Sequence, residues 1–135
     1  MHARHNGGFT LIELLIAVAI LAIIMGIAIP SYNQWVVDSN RADAKGALFG
    51  AAQTLERCFT RYSAYNDGAC GLQDGDTEMS ENDKYQVTVA ATATTFDLTA
   101  APQGSQTSDA ECGDFTLDET GAKGISGTGT VTDCW

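Results

Sequence analysis

The sequence contains very little that could perform catalysis or bind a transition metal. Its only histidines, His2 and His5, lie within the first five residues, and no two cysteines have the C-x-x-C spacing that is common among zinc ligands. The serines lack the sequence context of a nucleophile elbow. We therefore expect a protein that is not an enzyme and that holds no metal and no cofactor.

Basic side chains are also scarce, and they are concentrated in the first half of the chain. The formal net charge is −10, from 7 basic and 17 acidic residues, and only Lys84 and Lys123 are basic after Arg61. An acidic surface repels the phosphate backbone of nucleic acids. We therefore expect the C-terminal region to bind no nucleic acid.

The sequence does have one long apolar run, which lies close to its N-terminus. A short polar segment, residues 1–8, carries Arg4 and precedes an apolar segment, residues 9–30, whose only charged residue is Glu13. At ~1.5 Å per residue such a helix spans a hydrocarbon core of ~30 Å. A carboxylate in the membrane costs roughly 2.5–3.5 kcal/mol at a helix centre and less near an end. We therefore expect Glu13 to have a partner.

The apolar run continues into an amphipathic segment, residues 31–62. The two segments are expected to form one long helix with a kink at Gly26 and Pro30, since Pro30 removes a backbone donor and Gly26 lowers helix propensity by ~1 kcal/mol relative to Ala. Beyond Pro30, apolar residues recur at three- and four-residue spacing. These residues are Ala44, Leu48, Ala51, Leu55, Phe59 and Tyr62. This stripe is expected to pack beneath a C-terminal head, residues 63–135.

The head begins with an acidic, glycine-rich segment, residues 63–83, which we interpret as a loop. Its alternating acidic residues Asp74, Asp76 and Glu78 suggest calcium, but an EF-hand loop requires Gly at the position of Met79 and Glu at that of Tyr85. A solvated acidic loop is therefore the favoured interpretation.

Alternating apolar residues after this loop predict a small antiparallel sheet. The first two strands contain Tyr85, Val87 and Val89, and then Phe96 and Leu98, joined near residues 91–94. Phe115 and Leu117 indicate a third strand, before a turn at residues 119–121, and a fourth is expected near residues 129–132. A small sheet with one apolar face needs the helix as cover. The predicted fold class is thus α+β.

Four cysteines, Cys58, Cys70, Cys112 and Cys134, predict two disulfides, because an even count is typical of small exported domains. Four cysteines permit three connectivities. We favour Cys58–Cys70 and Cys112–Cys134, since each of these bonds closes a local segment.

The segment Gly8-Phe9-Thr10-Leu11-Ile12-Glu13-Leu14-Leu15 resembles the processing and assembly signal of type IV prepilins. That signal is a short basic leader ending in Gly, then Phe, then apolar residues with Glu at the fifth position. Residues 7–62 resemble the N-terminal half of type IV pilins, and residues 111–117 and 133–135 look closest to PilE-type minor pilins. This resemblance implies the pilin fold and supports the Cys112–Cys134 bridge.

The resemblance also implies a function and a set of partners. A prepilin peptidase would cleave between Gly8 and Phe9 and methylate the new amino group of Phe9. The chain would cross the inner membrane once, with its N-terminus cytoplasmic and its head periplasmic, and would then be moved by an inner-membrane assembly platform into a cell-surface pilus. There it would contact other pilin subunits, and Glu13 would meet the positive N-terminus of a neighbour.

These implications favour a minor pilin that takes part in pilus assembly, and hence in adhesion or twitching motility. Two alternatives share the same signal: a major pilin, and a pseudopilin of a type II secretion system. A third is a secreted domain behind an ordinary signal peptide cleaved near Ala28. The length of the apolar run and the presence of Glu13 disfavour that third alternative.

Overall fold

The computed structural model describes residues 8–135. The predicted leader, residues 1–8, therefore lies outside the described residues except for Gly8. The chain forms two compact units, a first that ends at Val36 and a second, Val37–Trp135. We describe each unit by itself.

A single helix, α1 (Leu11–Tyr62), contributes to both units. It is continuous through Gly26 and Pro30, as the prediction of one long helix requires. Pro30 has no N–H, and the carbonyl of Gly26 therefore lacks the donor that a regular helix supplies four residues later. The kink itself stays a prediction.

The first unit exposes its apolar side chains on all sides of the helix. From Phe9 to Ile29, every large apolar side chain is more than half exposed. An 18-residue window within α1 has a mean hydropathy of 2.9. Among the described residues this is the one helix that is long and apolar enough, by length and composition alone, to cross a membrane.

The second unit contains a five-stranded antiparallel sheet in the order β1-β2-β3-β4-β5, a simple meander. Its strands are β1 (Thr77–Met79), β2 (Tyr85–Ala91), β3 (Phe96–Pro102), β4 (Phe115–Asp118) and β5 (Lys123–Ile125). A short 3-10 helix (Gly104–Ser108) follows β3, and a short helix α2 (Val131–Cys134) follows β5.

The core of the second unit forms where one face of the sheet meets one face of α1. Leu98 in β3 pairs with Val89 on one side and Leu117 on the other, which aligns apolar side chains across three strands. The stripe residues Leu48 and Leu55 of α1 are fully buried in the same cluster. The predicted α+β fold, with the helix covering a small antiparallel sheet, is therefore confirmed.

Three details differ from the sequence prediction. The expected strand near residues 129–132 is instead the start of α2, because the Thr130 hydroxyl accepts from the Asp133 amide at 3.2 Å and caps a helical turn. Strands β1 and β5 were not predicted, since neither shows a clear alternation of buried and exposed residues. Tyr62, expected in the buried stripe, is 40% exposed.

Candidate assembly segment and head contacts

The segment before α1 is accessible at the predicted processing point. Gly8, Phe9 and Thr10 lie in non-helical backbone, and α1 begins at Leu11. The Phe9 side chain is 91% exposed, and a methyl group added at Gly8 would contact nothing within 4 Å. The Gly8–Phe9 peptide bond is therefore not shielded by the described part of the first unit.

Glu13 has a partner in its own chain, because it forms a capping box with Thr10. Glu13 Oε2 accepts hydrogen bonds from the Thr10 amide at 2.8 Å and from the Thr10 hydroxyl at 2.9 Å. The Glu13 amide in turn donates to Thr10 Oγ1 at 3.3 Å. Two amides that a helix start leaves unpaired are thus satisfied reciprocally. The carboxylate that was expected to need a neighbouring subunit is already hydrogen-bonded locally.

A buried ion pair joins α1 to the loop that precedes β4. Arg41 donates to both carboxylate oxygens of Asp109, from Nε at 2.8 Å and from Nη2 at 2.7 Å. Nη2 also contacts Glu111 at 2.8 Å, and Nη1 contacts Asp38 at 3.0 Å. Arg41 and Asp109 are each 7% exposed, and the hydrogen bonds from Arg41 hold the pKa of Asp109 below its ordinary value.

A second buried connection lies beside the ion pair. Gln106, in the short 3-10 helix, accepts from Asn40 Nδ2 at 2.9 Å and donates to the Tyr85 hydroxyl at 3.1 Å. Burial raises the pKa of Tyr85 to about 12, so the phenol stays protonated at neutral pH. The consecutive residues Asn40 and Arg41 thereby attach the loop after β3 to the helix.

Two disulfides lie in the second unit. Cys58 near the end of α1 is bonded to Cys70, with a Cα–Cα distance of 5.5 Å, and Cys112 is bonded to Cys134, at 5.7 Å. The second bond ties α2 to the residues before β4. Each closes a loop in the unfolded chain, which typically contributes about 2–4 kcal/mol of stability.

Among residues 8–135, the ligand-type side chains of Asp109, Glu111 and Cys112 lie within 4.8 Å of one another. The Cys112 sulfur is bonded to Cys134, and both carboxylates bind Arg41. The chemistry of this group is therefore that of an ion pair beside a disulfide, and it does not fit a metal site.

Two carboxylates of the acidic loop after α1 likewise bind backbone amides. Asp74 accepts from the Ala91 amide at 2.9 Å, and Asp76 accepts from the Gln73 amide at 2.8 Å. The Asp76 bond fixes the turn that leads into β1, and the Asp74 bond joins the loop to the end of β2.

Lysine and aromatic side chains form a cluster that reaches from the core to the surface, with Phe115 buried and Phe49 and Lys123 exposed. Its members are Lys45, Phe49, Phe115, Lys123 and Trp135. The Lys123 ammonium lies 5.0 Å from the ring centre of Trp135 and 5.7 Å from that of Phe49. Trp135 packs edge-to-face on Phe115 at 5.6 Å, and its carbonyl accepts from Lys45 at 3.3 Å. Burial lowers the pKa of Lys45. We call this group the lysine–aromatic cluster.

Two protein-family descriptions match different parts of the chain. Residues 30–116, more than half of the chain, match the family described as "Type IV minor pilin ComP, DNA uptake sequence receptor". Residues 3–29 match the prokaryotic N-terminal methylation motif. The chain belongs to the type IV pilins.

Individual pilins agree with this assignment. The chain is similar to the type IV major fimbrial protein FimA of Dichelobacter nodosus, with 40% identity over 51% of this chain and 39% of that protein. It is also similar to the type IV major pilin PilA of Myxococcus xanthus, with 39% identity over 47% of this chain and 29% of that protein. The chain thus matches well under half the length of each of these relatives.

The fold of this pilin is likewise that of a solved relative. A type IV pilin from Shewanella oneidensis superposes with a TM-score of 0.52 at 25% sequence identity, over 73% of this chain and 97% of that structure. The predicted pilin fold is confirmed by this match.

The capping box at Thr10 and the lysine–aromatic cluster are among the features of the pilin that were not predicted from the sequence. The role of Thr10 was recognisable, because Thr-x-x-Glu before an apolar run is the signature of a capping box. The lysine–aromatic cluster had no local signal, because its members come from α1, two strands and the residue after α2.

Proposed function

We propose that this pilin is a subunit of a type IV pilus that is processed before assembly. A prepilin peptidase would cleave between Gly8 and Phe9 and methylate the amino group of Phe9. The observation that carries the proposal is the combination of an accessible Gly8–Phe9 bond with an exposed apolar helix and a matching methylation motif. Before assembly, the apolar half of α1 anchors the subunit in the inner membrane, with the head in the periplasm.

Glu13 is proposed to contribute to assembly after processing. Cleavage creates a positive amino group at Phe9, and in the filament the Glu13 carboxylate pairs with that group on a neighbouring subunit. A buried carboxylate is costly without a partner and tolerable beside an ammonium. Because Thr10 donates two hydrogen bonds to the carboxylate within the chain, a subunit waiting in the membrane carries a hydrogen-bonded charge that still lacks a cationic partner.

Mass spectrometry of the mature N-terminus tests the processing step. We expect a methylated Phe9 as the first residue. A mature chain that begins near Ala28 would instead identify an ordinary signal peptide and overturn the proposal.

We further propose that the pilin is a minor subunit. The match of residues 30–116 to a family described as minor pilins supports this, while the similar FimA and PilA proteins are named major pilins. Deleting the gene should reduce surface pili, and sheared pili should contain only small amounts of this chain. A filament composed mostly of this chain would make it a major pilin, and intact pili with defective protein secretion would make it a pseudopilin.

DNA binding by the head is a second candidate function. It is supported by the family description, which names a DNA uptake sequence receptor, and by the lysine–aromatic cluster, where the Lys123 ammonium lies beside the Phe49 and Trp135 rings. Cations beside exposed rings can contact phosphates and bases. DNA binding by the head would contradict the prediction, drawn from the net charge of −10, that the head binds no nucleic acid.

A mobility-shift measurement with the full-length protein in detergent decides between these two expectations. If the head binds DNA, Lys123→Glu should abolish a salt-sensitive shift, and Lys84→Glu should serve as the matched charge control. The absence of a shift by the unmodified protein at low salt would support the prediction from net charge.

A further inference from the structure

The β1 edge of the sheet in the second unit borders a groove. Strand β1 is terminal in the sheet order, and all three of its residues are exposed. Between β1 and α1 lies an open depression of about 610 Å³. Its helix side is lined by small residues such as Gly46, Ala47 and Gly50. We call this depression the edge groove.

The rim of the edge groove is acidic. Glu78 and Glu81 are exposed and form no ion pair within residues 8–135, and Asp43 accepts from the Asn82 amide at 3.3 Å on the opposite side. Lys84 is the basic residue of this loop, and it too forms no ion pair in the described chain. The groove therefore favours a cationic occupant.

The same face of α1 continues beyond the groove as a basic ridge formed by Arg57 and Arg61. Residues four apart lie on one helix face, so the two guanidinium groups project side by side. Both residues are exposed, and neither forms an ion pair within the described residues. Arg57 donates to the Thr54 hydroxyl at 3.2 Å, and Thr54 itself lines the groove.

Three of the other cations of the second unit are engaged elsewhere, and Lys84 is a single lysine. Arg41 is buried in ion pairs, and Lys45 and Lys123 contact the aromatic rings of their cluster. Arg57 and Arg61 are thus a paired cationic surface that has no acidic partner among residues 8–135. A complementary acidic surface of the same molecule is the rim of the edge groove.

We propose that the edge groove receives the Arg57–Arg61 ridge of a second copy of this chain. Groove and ridge are different surfaces at successive positions on one helix face, so the contact is heterologous. A heterologous contact that does not close into a ring produces an open helical array. The proposal rests on the proposed pilus function, and it requires that copies of even a low-abundance subunit lie next to one another.

A photo-crosslinking experiment on the full-length protein in the cell tests this contact directly. Met79 lies in the groove and is 46% exposed, so Met79→p-benzoylphenylalanine places a reactive group there. With a second, differently tagged copy present, we expect crosslinks between the two copies, and peptide mapping should place them near Arg57 and Arg61. Crosslinks to another protein, to other peptides of the second copy, or none at all would overturn the proposal.

Charge reversal provides an independent test. A ridge variant, Arg57→Glu with Arg61→Glu, and a groove variant, Glu78→Lys with Glu81→Lys, should each lower the crosslink yield by about tenfold or more, because like charges then face each other. Combining all four changes in one chain should restore the yield. Co-expressing the two variants should also restore it.

Two controls separate this contact from general effects. Asp97→Lys changes the net charge on an exposed position away from the groove and should leave the crosslink yield unchanged. Intact disulfides on a non-reducing gel confirm that each variant has folded. A loss that the four-fold combination does not restore would overturn the proposal. If crosslinks form in the membrane but the chain never enters a filament, the contact stands and the pilus function fails.

Discussion

The two parts of α1 share one backbone conformation but differ in what surrounds them. Up to Val36, large apolar side chains are exposed around the whole helix, whereas beyond Val37 the buried residues form a single stripe that includes Leu48 and Leu55. A helix that is apolar all around suits a lipid or a packed bundle, and one with a single stripe suits a domain surface. One helix is therefore built for two environments, and the boundary is set by sequence pattern.

The largest loss of stability should come from removing Arg41, which belongs to the second part of α1. Arg41→Ala leaves Asp109 buried without its partner, and removal of one member of such a pair costs about 3–5 kcal/mol. Chemical denaturation of the full-length protein in detergent should show the loss. Arg57→Ala, an exposed position on the same helix, should change stability little. Equal stability of both variants would contradict the stabilising role that we assign to the Arg41–Asp109 ion pair.

A matched pair of leucines tests the difference between the two environments. Leu48→Ala should destabilise the second unit by about 2–5 kcal/mol, because it empties space in the core. Leu14→Ala, in the first part of α1, should leave the stability of the second unit unchanged. The midpoint of denaturation, followed by the fluorescence of Trp135, measures both. A comparable loss from Leu14→Ala would mean that the two parts do not behave as separate units.

Acid should weaken the second unit through Asp109. The folded pKa of Asp109 lies below the unfolded value, so its contribution to stability is present above about pH 4 and is lost as the pH falls through the folded pKa. Denaturation at pH 7 and pH 3 should therefore show a larger stability difference in the unmodified protein than in Asp109→Asn. If the unmodified protein and Asp109→Asn lose the same stability between pH 7 and pH 3, other carboxylates cause the acid sensitivity.

The smallest loss of stability should come from removing the capping box in the first part of α1. Thr10→Ala should lower the stability of the helix start by about 1 kcal/mol. Hydrogen exchange of the first-turn amides in detergent measures this change, and Thr10→Ser should be nearly neutral because it keeps the hydroxyl. Unchanged exchange in Thr10→Ala would remove the capping role.

Glu13→Ala separates capping from assembly. Membrane insertion should be preserved, because the substitution removes a charge from the apolar run. Incorporation into filaments should fall well below that of Thr10→Ala, since only the Glu13 change removes the charge proposed to pair between subunits. Fractionation of membranes and sheared pili measures both quantities. Normal incorporation of Glu13→Ala would contradict the assembly role.

Local patterns in the sequence predicted much of the fold, and long-range contacts were beyond their reach. The alternation of Tyr85, Val87 and Val89 predicted β2, because a half-buried strand has a period of two. Residues 129–132 were predicted to form a strand, yet capping by Thr130 made the segment helical.

The contacts of the candidate site were predictable only where the partners are close in sequence. Arg41 and Asp109 are 68 residues apart, and nothing near either residue identifies the other. The edge groove depends on β1, whose three exposed residues lack an apolar pattern. By contrast, Thr10 and Glu13 are three residues apart, and their pairing could have been inferred from the sequence.

The capping box also bears on what proteolytic processing does to the electrostatics of the helix start. Aligned peptide dipoles place about half a positive charge at the N-terminus of α1. Cleavage before Phe9 would add a full positive charge two residues ahead of Leu11, where it opposes that dipole. The Glu13 carboxylate lies in the first turn and is attracted to both. One acidic residue would thus offset, within its own subunit, the charge that the proposed cleavage introduces.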